Sequence, residues 1–114
     1  MNCKQREIVL VPFPYSDLSA TKKRPVLIVS NDEYNSKFQD VVVCVITSNL
    51  FKDDYSLTLS NDDLETGILP EPSVIKAHKL FTIDKEKILK QFSLLKPGVY
   101  QNVKSKLSEL FDSL

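Results

Sequence analysis

The chain has 114 residues, enough for one domain with a modest core, so association of copies would aid stability. Acidic and basic residues balance at 15 each. That excludes a whole-molecule field drawing the protein onto nucleic acid, and any polyanion has to be held by a local patch. With 42% hydrophobic and 26% charged residues, the composition excludes a disordered tail.

In chain order, EIVLVPF (Glu7–Phe13) is short, apolar and β-branched, and reads as a strand. Pro14 and the polar residues after it read as a loop. RPVLIVS (24–30) is a second strand, with Pro25 near its start, where a missing N–H does least harm. NDEYNSKF opens with Asn and Asp, good helix caps, and predicts a short helical turn. DVVVCVITSN (40–49) is the strongest strand signal, and YSLTLS (55–60) alternates as a half-buried strand does. NDDLETGILPEP reads as turns, SVIKAHKLFTI (73–83) as a strand, DKEKI as a turn and LKQFSLL (89–95) as a strand. Val99, Val103, Leu107, Leu110 and Leu114 then recur at helical spacing behind Pro97, which predicts one amphipathic helix of four or five turns. Many short strands and one closing helix predict a mainly β fold, a small bent antiparallel barrel filling one domain over 1–114.

Cys44 sits in an apolar run and Cys3 in a polar leader, so a buried thiol and no disulfide are expected. Met1–Arg6 lacks a signal-peptide pattern, and no apolar run reaches the ~20 residues of a membrane span. The expectation is a soluble cytoplasmic protein with no membrane partner. The chain has no GxGxxG, no GxxxxGK[ST], no CxxC and no HExxH, and only two glycines and one histidine. No cofactor and no metal site are expected.

Three polar features interrupt the apolar strands. Lys22, Lys23 and Arg24 form a basic entry to the second strand. Arginine presents a fork of donors suited to phosphate, although a solvated strand mouth looks the same in sequence. Thr47, Ser48 and Asn49 end the third strand; their polar side chains suit an anion and equally a capping turn. In KAHK (76–79), strand alternation puts Lys76 and His78 on one face, with Ala77 and Lys79 on the other. A histidine among cations is a candidate general base, and also an ordinary strand residue.

In this order, EIVLVPF, KRPVLIVS, VVVCVITS and SVIKAHKLFTID resemble the MazF/PemK family of toxin–antitoxin ribonucleases, from Glu7 to the final helix. The resemblance implies an SH3-like barrel shared with CcdB-type gyrase poisons, and a homodimer with single-stranded RNA in a groove across its interface. It implies metal-independent cleavage of that RNA at short sequences, and a cognate antitoxin that threads an acidic segment into the same groove. Arg24 matches the arginine before Pro-Val-Leu, expected to stabilise the charged phosphorane and to serve the leaving oxygen. Thr47 matches the hydroxyl residue expected to bond a phosphoryl oxygen. Lys76 and His78 fall where relatives carry an arginine and an acid, which gives His78 the base role and Lys76 a phosphate contact. Lys22, Lys23, Ser48 and Asn49 join Lys76 as substrate-binding residues, and Phe13, Tyr15 and Phe51 are candidates for stacking on bases, with core filling the favoured role for Phe13.

The chain departs from the family pattern at Arg6, where many relatives have glycine, and in the loop before Arg24, whose one carboxylate is Asp17. A non-enzymatic gyrase-poisoning barrel and an RNA-binding barrel without catalysis are the competing readings.

Overall fold

The structure is a computed structural model that describes residues 2–13 and 22–113. Seven antiparallel strands, β1 (Glu7–Phe13), β2 (Lys22–Ile28), β3 (Asp40–Thr47), β4 (Ser56–Leu59), β5 (Leu64–Thr66), β6 (Ser73–Asp84) and β7 (Lys90–Leu95), form one sheet in the order β4-β6-β3-β2-β1-β7-β5. The short helix α1 (Asp32–Lys37) joins β2 to β3, and the helix α2 (Pro97–Phe111) closes the chain. Asn31 caps α1, its side chain accepting from the Tyr34 N–H, as the Asn-Asp start predicts.

The sheet has to curl. Its two edge strands, β4 and β5, are consecutive in sequence, separated only by a 3-10 turn over Asn61–Asp63. Seven flat strands would set those edges about 29 Å apart at the usual inter-strand spacing. The chain from Leu59 to Leu64 reaches at most about 18 Å. The result is the bent antiparallel barrel that the strand pattern predicts.

Alternation sorts the apolar residues of the central strands onto two buried faces. Ile8, Leu27, Cys44 and Ile46 face one way, packing with Ile75, Leu95 and with Tyr100 and Val103 of α2. Val9, Val11, Val26, Ile28, Val41 and Val43 face the other way, with Cys3 and Ile88. Burial on both faces is why these strands read as near-continuous apolar runs. Both cysteines are free and buried, in different clusters; burial pushes the Cys44 thiol up to about 12, so it behaves as a small apolar side chain.

The second strand, read over 24–30, lies over Lys22–Ile28 instead, and two further features stand out. The stretch read as turns contains β5, a three-residue strand with one buried side chain, Leu64, too short to show a period. Arg6 holds a φ of 80° in the left-handed region, where glycine is at ease. Its Nη1 donates to the Leu95 carbonyl at 2.7 Å and reaches Glu65 at 3.4 Å. Those bonds, from the chain before β1 to β7 and β5, offset backbone strain of about 1–3 kcal/mol.

Gly67 has a φ of 86°, and a Cβ there would lie 2.2 Å from the Phe92 carbonyl oxygen and 2.6 Å from Ser93 Cβ. Gly67→Ala is expected to cost at least about 1–3 kcal/mol from backbone strain alone. An unchanged urea midpoint would contradict that conformation.

Candidate nucleic-acid interface

The strand pairing that builds the second apolar face also builds a polar site at its end. Val26 pairs with Val45 as the last pair of the β2–β3 ladder, and Arg24 and Thr47 each lie two residues beyond it, on the same face of their strands. Arg24 therefore follows Ile28 and Val26 on that face, as Thr47 follows Val41, Val43 and Val45. Phe13 follows Val9 and Val11 on β1. The face changes from core to cavity where its side chains change from valine to arginine and threonine.

The cavity is about 370 Å³ and is lined by Phe13, Arg24, Val45, Ile46, Thr47, Asn49, Phe51, Lys76 and Lys79. Three cations line it, and no carboxylate does among the described residues. A second cavity of about 400 Å³ shares Arg24 and Ile46 with it and adds Lys22, Lys23, Ser48 and Glu71. Arg24 thus stands between two hollows, with the lysine pair on one side and the threonine on the other.

The loop after β3 is tied by its own side chains. Thr47 Oγ1 accepts from the Asn49 N–H at 3.1 Å, and Asn49 Oδ1 accepts from the Phe51 N–H at 3.1 Å. The capping-turn reading of Thr47 therefore holds, while its hydroxyl proton is still available to donate. Beneath the loop lies Lys76, only 7% exposed. Its ammonium donates to the Phe51 carbonyl at 2.8 Å, to Ser56 Oγ at 3.1 Å and to Asp53 Oδ2 at 3.4 Å. Three protein acceptors, one of them the Asp53 carboxylate, engage the amine expected to contact phosphate, so its hydrogens serve the loop.

The expected alternation in KAHK is broken. Cys44 pairs with Leu80 but Val45 pairs with Lys76, so Ala77, His78 and Lys79 have no partner on β3. This bulge shifts the period: Lys76 and Lys79 share the cavity, Ala77 enters the core under α2, and His78 lines neither cavity. His78 Nε2 lies 3.6 Å from Asp53 Oδ2, and its ring packs 5.8 Å from that of Tyr55. Asp53 Oδ2 is a neighbour that Lys76 and His78 share.

Arg24, Thr47, Asn49 and Lys76 are thus brought together, and Lys22, Lys23 and Ser48 line the adjoining hollow. Tyr15 and Asp17 lie outside the described residues. Sequence reasoning missed Lys79, whose position depends on the bulge, and Asp53, which nothing in its local pattern distinguishes from Asp54.

Hydrogen bonds from the Ser56 hydroxyl above all, then from the Tyr55 N–H and Lys76, hold the Asp53 carboxyl down at about 2, against burial, which pushes it up. Its ordinary value is 3.8, so its contribution is full above that pH and is lost as pH falls through about 2. Asp53→Asn is expected to be less stable than wild type near neutral pH, with the gap closing as urea melts are taken down toward about pH 2. A gap that persists in acid would mean that the carboxylate charge contributes nothing.

A protein-family model, described as PemK-like, MazF-like toxin of type II toxin–antitoxin systems, matches residues 4–111. No curated protein matches the chain. Among solved structures, an endoribonuclease in complex with its cognate antitoxin from a mycobacterial species is 18% identical, with a TM-score of 0.77 over 94% of this chain and 92% of that one. The Mycobacterium tuberculosis toxin MazF-mt6 is 21% identical, with a TM-score of 0.76 over 94% and 97%. A MazE–MazF complex from Deinococcus radiodurans is 20% identical, with a TM-score of 0.78 over 96% of each chain. At these identities the likeness shows a shared fold. Among the described residues, no helix is long and apolar enough to cross a membrane.

Proposed function

Because the chain belongs to the PemK-like, MazF-like toxins of type II toxin–antitoxin systems, we propose that it is an endoribonuclease that cuts single-stranded RNA at short sequences. The observation that carries this reading is that Arg24 and Thr47, from neighbouring strands, line one cavity with cationic walls. A guanidinium and a hydroxyl on rigid strands suit the extra charge of a pentacoordinate phosphate.

The RNA 2′-hydroxyl attacks the adjacent phosphorus and loses its proton to a base. The bond to the 5′-oxygen breaks and that oxygen gains a proton, leaving a 2′,3′-cyclic phosphate and a 5′-hydroxyl. Arg24 holds a non-bridging oxygen as its charge grows, and Thr47 donates its hydroxyl proton to another. Lys79 and Lys76 add positive potential. Lys22 and Lys23 hold the backbone as it continues into the second hollow, a contact weakened by salt. The substrate supplies its own nucleophile, so this route calls for no metal ion.

The relatives crystallised with antitoxins and the cationic hollows support a cognate antitoxin as partner, its extended acidic segment lying where RNA would lie. We assign the active form to a homodimer and its place of work to the cytoplasm. Sedimentation at twice the chain mass is the check on the dimer.

The test of function is a labelled mixed-sequence RNA in excess EDTA, beside the same sequence as DNA. Cutting of RNA at a few sites with DNA intact is expected. Arg24→Ala and Thr47→Val should each lower kcat by about 10²–10³ while the protein stays folded. Inhibition of gyrase that survives Arg24→Ala, with RNA uncut, would instead favour the protein-poison reading.

The base role expected of His78 is not what this geometry favours, since its ring stands off the Arg24 cavity. His78→Ala is expected to keep cleavage within about tenfold, with the acid limb of the pH–rate profile unchanged. A loss of about 10²–10⁴-fold with a flattened acid limb would return the role to His78.

A further inference from the structure

Phe51 is 70% exposed, yet both of its backbone polar groups are held by side chains. Its N–H donates to Asn49 Oδ1, its carbonyl accepts from Lys76 Nζ, and that same nitrogen lies 5.4 Å from the centroid of its ring. A side chain fixes each backbone polar group of the residue, and one of them comes from a nearly buried lysine that Asp53 and Ser56 hold in turn. An exposed phenylalanine on a loop tip would ordinarily keep its conformational freedom and gain nothing from water. Holding its backbone this way has a use if the ring receives something flat.

We propose that Phe51 is the stacking platform for one unstacked base of single-stranded RNA, at the nucleotide beside the phosphate held by Arg24 and Thr47, and that Lys76 is the positioning residue that aims it. This rests on the ribonuclease reading above. The ring lines the same cavity as Arg24, Thr47, Asn49 and Lys79, so a base against it keeps its phosphate within the cationic walls. A cationic wall favours a nucleic acid over an apolar peptide as the occupant. Lys76 then raises affinity and selectivity through the loop it clasps.

The experiment measures binding of full-length protein to a random pool of 2′-fluoro RNA, which has no nucleophile, and cleavage of the matching RNA pool. Phe51→Leu is expected to weaken binding by about 5- to 150-fold, the range for losing one stacked base. It should raise KM more than it lowers kcat and flatten the preference among sites. Phe51→Trp should restore both binding and preference. Lys76→Met should change site preference and KM as Phe51→Leu does. Unchanged binding and site choice in Phe51→Leu would overturn the platform while leaving the ribonuclease reading intact. Binding without cutting by wild type would sink the ribonuclease reading and leave the platform standing. A wild type that neither binds nor cuts overturns both. A fall in kcat with site choice unchanged in Lys76→Met would make that amine a catalytic group and overturn its positioning role. A sedimentation shift in Phe51→Leu that accounts for the whole loss would make the ring a contact between protomers and overturn the platform.

Discussion

The pairing of β2 with β3 is the constraint on which the rest of the molecule depends. Its register decides which side chains enter the core and which pair of polar side chains meets at the end of the same face. A slip of one residue would turn every β2 side chain to the opposite face, taking Val26 and Ile28 out of their valine cluster, forcing Leu27 into it and sending Arg24 away from the face of Thr47. The energetic demand for burying the valines is therefore also what keeps the two site residues on one face. The site needs no separate device to set that spacing.

A second device governs what surrounds the pair. The bulge in β6 lets Ile75 and Ala77 pack under α2 while Lys76 and Lys79 both face the cavity, an arrangement that unbroken alternation forbids. Lys76 is nearly buried, and such an ammonium is tolerable only because a carboxylate, a hydroxyl and a carbonyl meet it. Its acceptors belong to the loop and the start of β4, so satisfying the buried charge and fixing the loop are one event. Asp53 joins this clasp to His78, which links the histidine to the site without bringing it in.

Much of this was legible in the sequence. Strands β1, β3, β6 and β7 and both helices follow from apolar period, caps and Pro97, because burial and capping are local in their demands. Arg24 and Thr47 stood out as polar residues at the ends of apolar runs, and simple alternation along two paired strands accounts for their meeting. The resemblance to the toxin family pointed to the same two residues. What stayed illegible depends on contacts between distant segments. The bulge is set by how β6 must serve β3 and β4 at once, so alternation misjudged His78 and Lys79. Strand β5 exists because β7 offers it an edge. Asp53 matters because Lys76 lies beneath it, and its own neighbours in sequence do not say so.

The loop that follows Thr47 is fastened from below, through the Phe51 carbonyl and Asp53, while the side chains at 48–52 other than the tied Asn49 point to no core cluster. Such a loop separates inheritance of the scaffold from inheritance of its outward face. Substitutions at Ser48, Leu50 or Lys52 change what the rim presents without reaching the valines that make the sheet fold. A lineage built this way can drift from one target to another in single steps, each intermediate still folded, and a partner that must cover the same rim is obliged to follow.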